Sequence, residues 1–394
     1  MIDTQGYLAL IRGERRGPLA AVARGGLFAA SGLFRIGVAA RGGCFAAGLL
    51  RVRRAPLPVI SIGNLTAGGT GKTPVVIQVL RRLLATGERP AVLARGYGAA
   101  RDGELNDELR LIGEEVPGAL LFPGKDRVSR ARDAAAAGAT VIVLDDGFQH
   151  RRLARDLDVV VLDATAPWGT PSGRLLPRGL LREPPGALRR ADVVILNRVN
   201  LVGSTTLRLL EAEVRTRGFT GPLLRMDVEP RALSAMAAPA ELGGDPVRPV
   251  VPGVNLPLAS LRGAPLLAAC GIGNPNAFAA TLALLGGRTS QLVALPDHHD
   301  YAPPDVAALE ELAARRAVPW VVVTAKDAVK LRPLLEAAHA RGERRRSAWL
   351  SLEVEAAIEP REVLFEELAK ALTRRRDGVP ALPLREVGPG GAGG

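Results

Sequence analysis

The sequence predicts an α/β fold: a parallel sheet with helices on both faces, a smaller C-terminal α/β unit, and an N-terminal membrane-associated helix. Three observations predict it. Short, continuous runs rich in Val, Ile and Leu recur between segments of helical period, the pattern of parallel strands covered on both faces. A glycine-rich turn joins the first of these runs to a helix. The charge is uneven: nine arginines stand against Asp3 and Glu14 in residues 1–55, within a chain of net charge +12.

Taken in order, residues 17–50 are small and apolar but interrupted by Arg24, Arg35 and Arg41. The longest uncharged run, 25–34, is shorter than the roughly 20 residues of a simple span. On a helical wheel Arg24, Arg35 and Arg53 fall together, with Arg16 and Arg41 to one side and Leu, Phe, Val and Ala opposite. That is the pattern of a helix lying in the membrane interface, and the competing reading is a helix packed on the protein's own core. Residues 58–62, 91–95, 141–146, 159–164 and 193–197 read as buried strands, 74–86 and 125–138 as helices, and 96–118 as an exposed acidic loop. Residues 229–262, rich in Pro, Gly and Ala, have the composition of a linker. Strand and helix then alternate again through 266–331. The expected division is 1–55 membrane segment, 56–228 phosphate-binding core, 229–377 smaller unit, and 378–394 disordered tail.

Composition narrows the function. The chain has 394 residues, 47% hydrophobic and 23% charged, which excludes bulk disorder. Two cysteines exclude a disulfide framework, and four histidines are too few for a histidine-built metal cluster. The basic balance suits an anionic surface, either lipid or nucleic acid. Without an aromatic platform or a reader motif among the arginines, nucleic acid is not expected.

GNLTAGGTGKTP (63–74) has the chemistry of a phosphate loop. Thr66, Ala67, Gly68, Gly69, Thr70 and Gly71 let backbone N–H groups turn inward. Lys72 reaches β- and γ-phosphates, and the Thr73 hydroxyl can hold Mg²⁺. Thr66 stands where the usual pattern has its first glycine. Such a loop needs a carboxylate at the end of a neighbouring strand. VIVLDDGFQH (141–150) supplies Asp145 and Asp146, one for the metal and the other to orient Lys72 or substrate.

These segments occur in a fixed order with ARGYG (94–98), LLPRGLLREP (175–184), CGIGNPNAF (270–278), PDHHDY (296–301) and TAKDAVKL (324–331). Together, over roughly residues 50–335, the chain resembles the tetraacyldisaccharide 4'-kinase family of lipid A biosynthesis. The resemblance implies a P-loop kinase with ATP and Mg²⁺. It would transfer the γ-phosphate to the 4'-hydroxyl of a tetraacylated, 1-phosphorylated glucosamine disaccharide at the cytoplasmic face of the inner membrane. It also implies an acid–base pair. The family's acidic Gly-Asp-Glu-Pro element falls on NDE (106–108), making Asp107 the candidate base, with Asn106 for Gly and Leu109 for Pro. Glu114 and Glu115 are the rival placement. His298 in Asp297-His298-His299 is the candidate partner, and His299 the bystander. Gln149 and His150 are candidates for metal water or substrate, and Arg178 and Arg182 for clamping phosphate, unless they pair with Glu183. TAKD resembles a purine-reading Asn-Lys-x-Asp and places Lys326 or Asp327 at the adenine end, although Ala325 departs from the family's Glu. The competing function is a membrane-recruited P-loop GTPase or regulatory ATPase, against which Asp145-Asp146-Gly147 lacks the D-x-x-G spacing.

Overall fold

The computed structural model describes residues 4–95, 105–171, 173–238, 252–297, 299–343 and 345–378. Twelve strands form one sheet: β1 Val59–Gly63, β2 Pro90–Ala94, β3 Leu120–Pro123, β4 Val141–Asp145, β5 Leu157–Asp163, β6 Val193–Asn197, β7 Leu223–Ala237, β8 Asn255–Leu256, β9 Pro265–Cys270, β10 Arg288–Ala294, β11 Trp320–Thr324 and β12 Ala348–Glu359. Their order is β10-β9-β11-β12-β7-β6-β5-β1-β4-β2-β3, with β8 beside β7. Every pairing is parallel except β7 with β12 and with β8. The expected fold class is therefore what the chain adopts. One mostly parallel sheet serves both halves, sewn together by two long antiparallel strands paired from Arg225↔Glu359 to Ala237↔Trp349 with two register shifts between.

The strand runs are β-branched because both faces are covered, and β1, β4 and β6 are buried at every residue. On one face α3 (Lys72–Ala85) packs Val75, Val76, Val79, Leu80 and Leu83 against Ile60, Val143 and Val159. Helix α10 (Arg361–Arg376) joins the same core through Leu364 and Leu368, so it returns to the phosphate-binding half. α6 (Ser204–Thr216) and α5 (Arg127–Ala136) lie in separate apolar clusters with β6 and β4. In the other half α7 (Pro275–Leu284), α8 (Pro303–Arg315) and α9 (Ala325–Ala340) cover β9 and β11.

Three sequence expectations change. The acidic loop expected over 96–118 contains α4 (Asp107–Glu115): Asn106 caps it, its Oδ1 accepting the Leu109 N–H at 3.1 Å, and Leu109 and Ile112 are buried. The two departures from the family pattern are thus a helix cap and a core residue. The linker composition at 229–262 conceals the second half of β7, whose residues pair with β12, and position 229 lies inside that strand. The N-terminal segment is two helices, α1 (Thr4–Arg12) and α2 (Pro18–Ala46), so Arg16 and Arg53 are off the long helix; the Arg53 N–H bonds the Arg152 carbonyl at 2.7 Å.

α2 is long and apolar enough, by length and composition, to cross a membrane. Leu19, Val22, Leu33 and Ile36 are all exposed and fall within about 100° on its wheel. The opposite side is anchored, with Ser31 and Phe45 buried. The Ser31 hydroxyl donates to the Leu175 carbonyl at 2.9 Å, and Arg151 lies over the Phe45 ring. One face of the helix thus packs on the protein, and the other presents apolar side chains outward.

Candidate active site

The carboxyl ends of four adjacent parallel strands carry the site, where α/β sheets bind ligands. β1 runs into the glycine-rich loop, β4 ends on Asp145, β5 on Asp163 and β6 on Asn197. The loop is held from inside by Asn64, whose Nδ2 donates to the Thr66 carbonyl at 2.8 Å and the Thr70 hydroxyl at 3.1 Å. Asn197 donates to the Thr70 carbonyl at 2.9 Å. Gly71, at φ 83°, opens α3, and a Cβ there would lie 2.2 Å from Asn197 Nδ2. Both its conformation and its neighbour demand glycine. Segment 180–182 clasps the loop's first residues: Ala67 N–H bonds the Leu180 carbonyl at 2.7 Å, and Arg182 N–H the Leu65 carbonyl at 2.8 Å.

Lys72 and Thr73 begin α3, so Lys72 rises beside the loop. Its Nζ lies 3.7 Å from Asp146 Oδ1, and Arg182 bonds Asp146 Oδ2 at 2.6 Å. Asp146 has φ 54°, an uncommon conformation for a non-glycine. Buried Arg127 holds that turn by donating to the carbonyls of Asp145 and Asp146 at 2.9 and 3.1 Å. The two carboxyls differ in environment. Burial raises both, but Lys72 and Arg182 outweigh it at Asp146 and hold it below the usual carboxylate range. At Asp145 burial dominates, Glu108 adds repulsion, and its pKa is pushed up to about 7. Asp145 is buried at the end of β4 and Asp146 Oδ1 is buried without a hydrogen-bond partner among the described residues, so this carboxylate pair beside Thr73 fits a divalent cation. No cluster of three or more His, Cys, Asp or Glu side chains able to hold a metal occurs among the described residues. Mg²⁺ does not need one, since it takes one or two protein ligands plus phosphate and water.

Gln149 donates to the Asn64 carbonyl at 2.9 Å, and its Oε1 lies 3.4 Å from Arg182. His150 is half-buried among Arg127, Arg155, Arg41 and Arg152. Burial and those charges push its pKa down to about 4, so it is a neutral imidazole. Arg178 turns the other way, donating to the Ile11 carbonyl at the end of α1 at 2.9 Å. Neither arginine pairs with Glu183, whose partner is Arg190 at 2.8 Å.

Asp107 is the first residue of α4, and its neighbour Glu108 is close enough to act on Asp145, which sets this helix start against the phosphate site. Lys330, on α9, bonds Asp107 Oδ2 at 2.6 Å and donates to the His299 carbonyl at 2.8 Å. The turn after β10 is thereby tied to Asp107. His298 lies outside the described residues. The His299 ring faces Asp305, with Nε2 3.2 Å from Oδ2. The rival acids lie at the other end of α4: Glu115 pairs with Arg81 and with Arg231, and Glu114 with Arg332 at 3.6 Å. Asp327 is turned inward, accepting the Gly271 N–H at 3.1 Å and the Thr324 hydroxyl at 2.6 Å, while Lys326 pairs with Asp297 at 3.1 Å.

Sequence reasoning missed Asn64, Arg127, Asn197, Arg198 and Lys330. Lys330 stood inside the quoted TAKDAVKL, on the same helix face as Lys326. Asn197 closes the run VVILN and Arg198 follows it, where a polar residue after a buried strand was the available signal. Arg127 carried none.

Residues 24–373 match the family model for tetraacyldisaccharide-1-P 4'-kinase. A tetraacyldisaccharide 4'-kinase of Anaeromyxobacter dehalogenans is 43% identical over 341 residues, covering 82% of this chain and 86% of that one. That of Syntrophus aciditrophicus is 41% identical over 319 residues, 76% and 82% of the two chains. Among solved structures, LpxK from Aquifex aeolicus in complex with ATP superposes with a TM-score of 0.66 at 25% identity, covering 89% of this chain and 99% of that one. The chain is a kinase and belongs to the tetraacyldisaccharide-1-P 4'-kinase family.

Proposed function

We propose that the residues assembled here transfer the γ-phosphate of ATP to the 4'-hydroxyl of a tetraacylated disaccharide 1-phosphate as follows. Backbone N–H groups of 66–71 and Lys72 hold the β- and γ-phosphates. Arg182, paired with Asp146, presents a guanidinium at the same place, and Gln149 buttresses it. Thr73 and Asp145 would hold Mg²⁺, which neutralises phosphate charge when bound. Asp107, paired with Lys330, accepts the hydroxyl proton, with His298 as its partner. Asp146 keeps Lys72 and Arg182 oriented. His150, a neutral imidazole caged by arginines, and Arg178, bonded to α1, shape the acceptor side. Of the two halves joined at β7, the first carries the phosphate loop and Asp107, and the second adds Lys330 and His298 to the acceptor side. The exposed apolar arc of α2, with Arg24 and Arg35 on the other side of the helix, seats the enzyme on the cytoplasmic face of the membrane that holds its lipid substrate.

The observation that carries this reading is the convergence of Lys72 and Arg182 on Asp146 at the phosphate loop, with Asp107 on the helix whose next residue acts on Asp145. The test is transfer of labelled γ-phosphate to purified tetraacyldisaccharide 1-phosphate. Label should appear in the lipid, and nucleotide turnover should depend on the lipid. Equal hydrolysis with and without acceptor would instead indicate a switch ATPase or GTPase. Reversing Arg24 and Arg35 to Glu should move the protein from the membrane to the soluble fraction, and unchanged partition would remove the membrane role of that face.

A further inference from the structure

The one purine-reading pattern noticed in the sequence, Thr324–Asp327, is closed by the fold. Asp327 is buried, and its carboxylate is spent on Gly271 N–H and the Thr324 hydroxyl. The logic of an Asn-Lys-x-Asp reader asks for three things. An amide must weld its turn to the phosphate loop, a long cationic side chain must be anchored at that loop with its stem under the base, and a polar group two residues later must meet the base edge.

All three stand at the end of β6, in Asn197-Arg198-Val199-Asn200. Asn197 is fully buried; its Nδ2 donates to the Thr70 carbonyl at 2.9 Å, and its Oδ1 accepts the Arg198 N–H at 2.7 Å. The last glycine of the loop lies against it with no room for a Cβ. Arg198 is held at φ 61°, an uncommon conformation for a side chain of this size. Its guanidinium pairs with Asp163 and donates to the Gly69 carbonyl at 3.3 Å, so its stem spans from the strand end to the apex of the phosphate loop. Asp227, on β7, accepts the Asn200 N–H at 3.1 Å and bonds that of Val199, fixing the turn. The Asn200 side chain is exposed, and Leu201 beside it is 58% exposed. Two backbone anchors and a strained arginine position an exposed amide two residues from the phosphate loop's contacts, with apolar surface beside it.

We propose that Asn197, Arg198 and Asn200 form the base subsite of the nucleotide, and that Asn200 selects adenine over guanine. The proposal rests on ATP being the phosphate donor. Asn197 positions the turn, the aliphatic stem of Arg198 lies under the ring while its guanidinium stays anchored at the loop, and Asn200 reads the edge. Adenine presents an acceptor at N1 and a donor at N6, which a carboxamide meets with one N–H and one C=O. A carboxylate offers two acceptors. It suits the N1–H and N2–H of guanine and faces the adenine N1 lone pair unfavourably.

The test compares wild type, Asn200→Asp, Arg198→Ala and Lys326→Ala by titration calorimetry with ATP, GTP and tripolyphosphate, and by kcat/KM with ATP and GTP. Asn200→Asp should move the ATP-to-GTP preference toward GTP by about ten- to a hundred-fold, the discrimination carried by one two-point base contact, with tripolyphosphate affinity unchanged. Arg198→Ala should weaken ATP and GTP alike, more than tripolyphosphate. Lys326→Ala should leave the preference in place. An unmoved preference in Asn200→Asp, or a moved one in Lys326→Ala, overturns the assignment. A wild type that binds ATP but phosphorylates no lipid defeats the kinase reading alone, since the binding preference still decides the base subsite.

Discussion

The phosphate loop and the proposed acceptor site are built in opposite ways. Residues 63–73 are contiguous, and their shape is enforced by bonds within the loop and by the ends of neighbouring strands. The acceptor site has no such unit. Asp107 comes from α4, Lys330 from α9 across the sheet seam, and the His299 carbonyl from the turn after β10. A lysine bridge between separate elements depends on how those elements sit together, whereas a loop welded to its own sheet does not. The donor half of the site is therefore fixed by local chemistry, and the acceptor half by tertiary assembly.

The largest expected effect lies on the local side. Lys72→Ala removes the cation nearest the transferred group and should lower kcat by about 10²–10³-fold or more, measured as labelled phosphate in lipid. The fold should persist, because α3 is held by its buried apolar face and not by Lys72. Near-normal turnover would show that the loop does not bind the reacting phosphate.

Next come substitutions at the assembled side. Asp107→Ala should lower kcat by about 10²–10⁴-fold while ATP affinity from calorimetry stays near wild type, because the group acts where charge moves in the transition state. Lys330→Met should cost less, and the double variant should cost clearly less than the two effects combined, since the pair in contact acts as one unit. Independent, additive losses would dissolve the pair. Glu114→Ala should be nearly silent, as its carboxylate is half-exposed at the far end of α4 beside Arg332.

The same contrast explains what the sequence made legible. The phosphate loop, the Asp145-Asp146 turn and strands β1, β2, β4, β5, β6, β9, β10 and β11 are short-range patterns, and each was readable, whereas β3, β8 and β12 were not read. α4 was not, because its apolar face is only Leu109 and Ile112 within nine polar-rich residues, too short for periodicity to show. β7 was not, because Pro230 and several alanines hide a strand whose partner, β12, lies more than a hundred residues further on. Arg182 was read as a phosphate clamp and stands at Asp146. Arg178, four residues away in the same motif, is spent on the Ile11 carbonyl. No spacing in the motif separates those two fates; only the packing of α1 does.

The smallest expected effect sits at the seam that holds α4 in place. Glu115 at the end of α4 pairs with Arg81 of the phosphate-loop helix and with Arg231 of β7, and it also faces buried Glu353 of β12. Burial first, and then hydrogen bonding and repulsion from Glu115, push the Glu353 pKa up to about 7 despite Ser351 and Arg231. A carboxyl raised in the folded state binds more protons there than in the unfolded chain between about pH 4.5 and pH 7. Unfolding free energy must then fall as pH rises through that window. Glu353→Gln keeps a neutral hydrogen-bonding side chain at every pH, so its stability should lose this dependence. The two proteins should differ little at pH 5, with the variant the more stable at pH 8, as measured by denaturant midpoints. If the wild type shows no loss of stability from pH 5 to 8 relative to the variant, Glu353 is ionised in the fold, and the seam is held by the arginines alone.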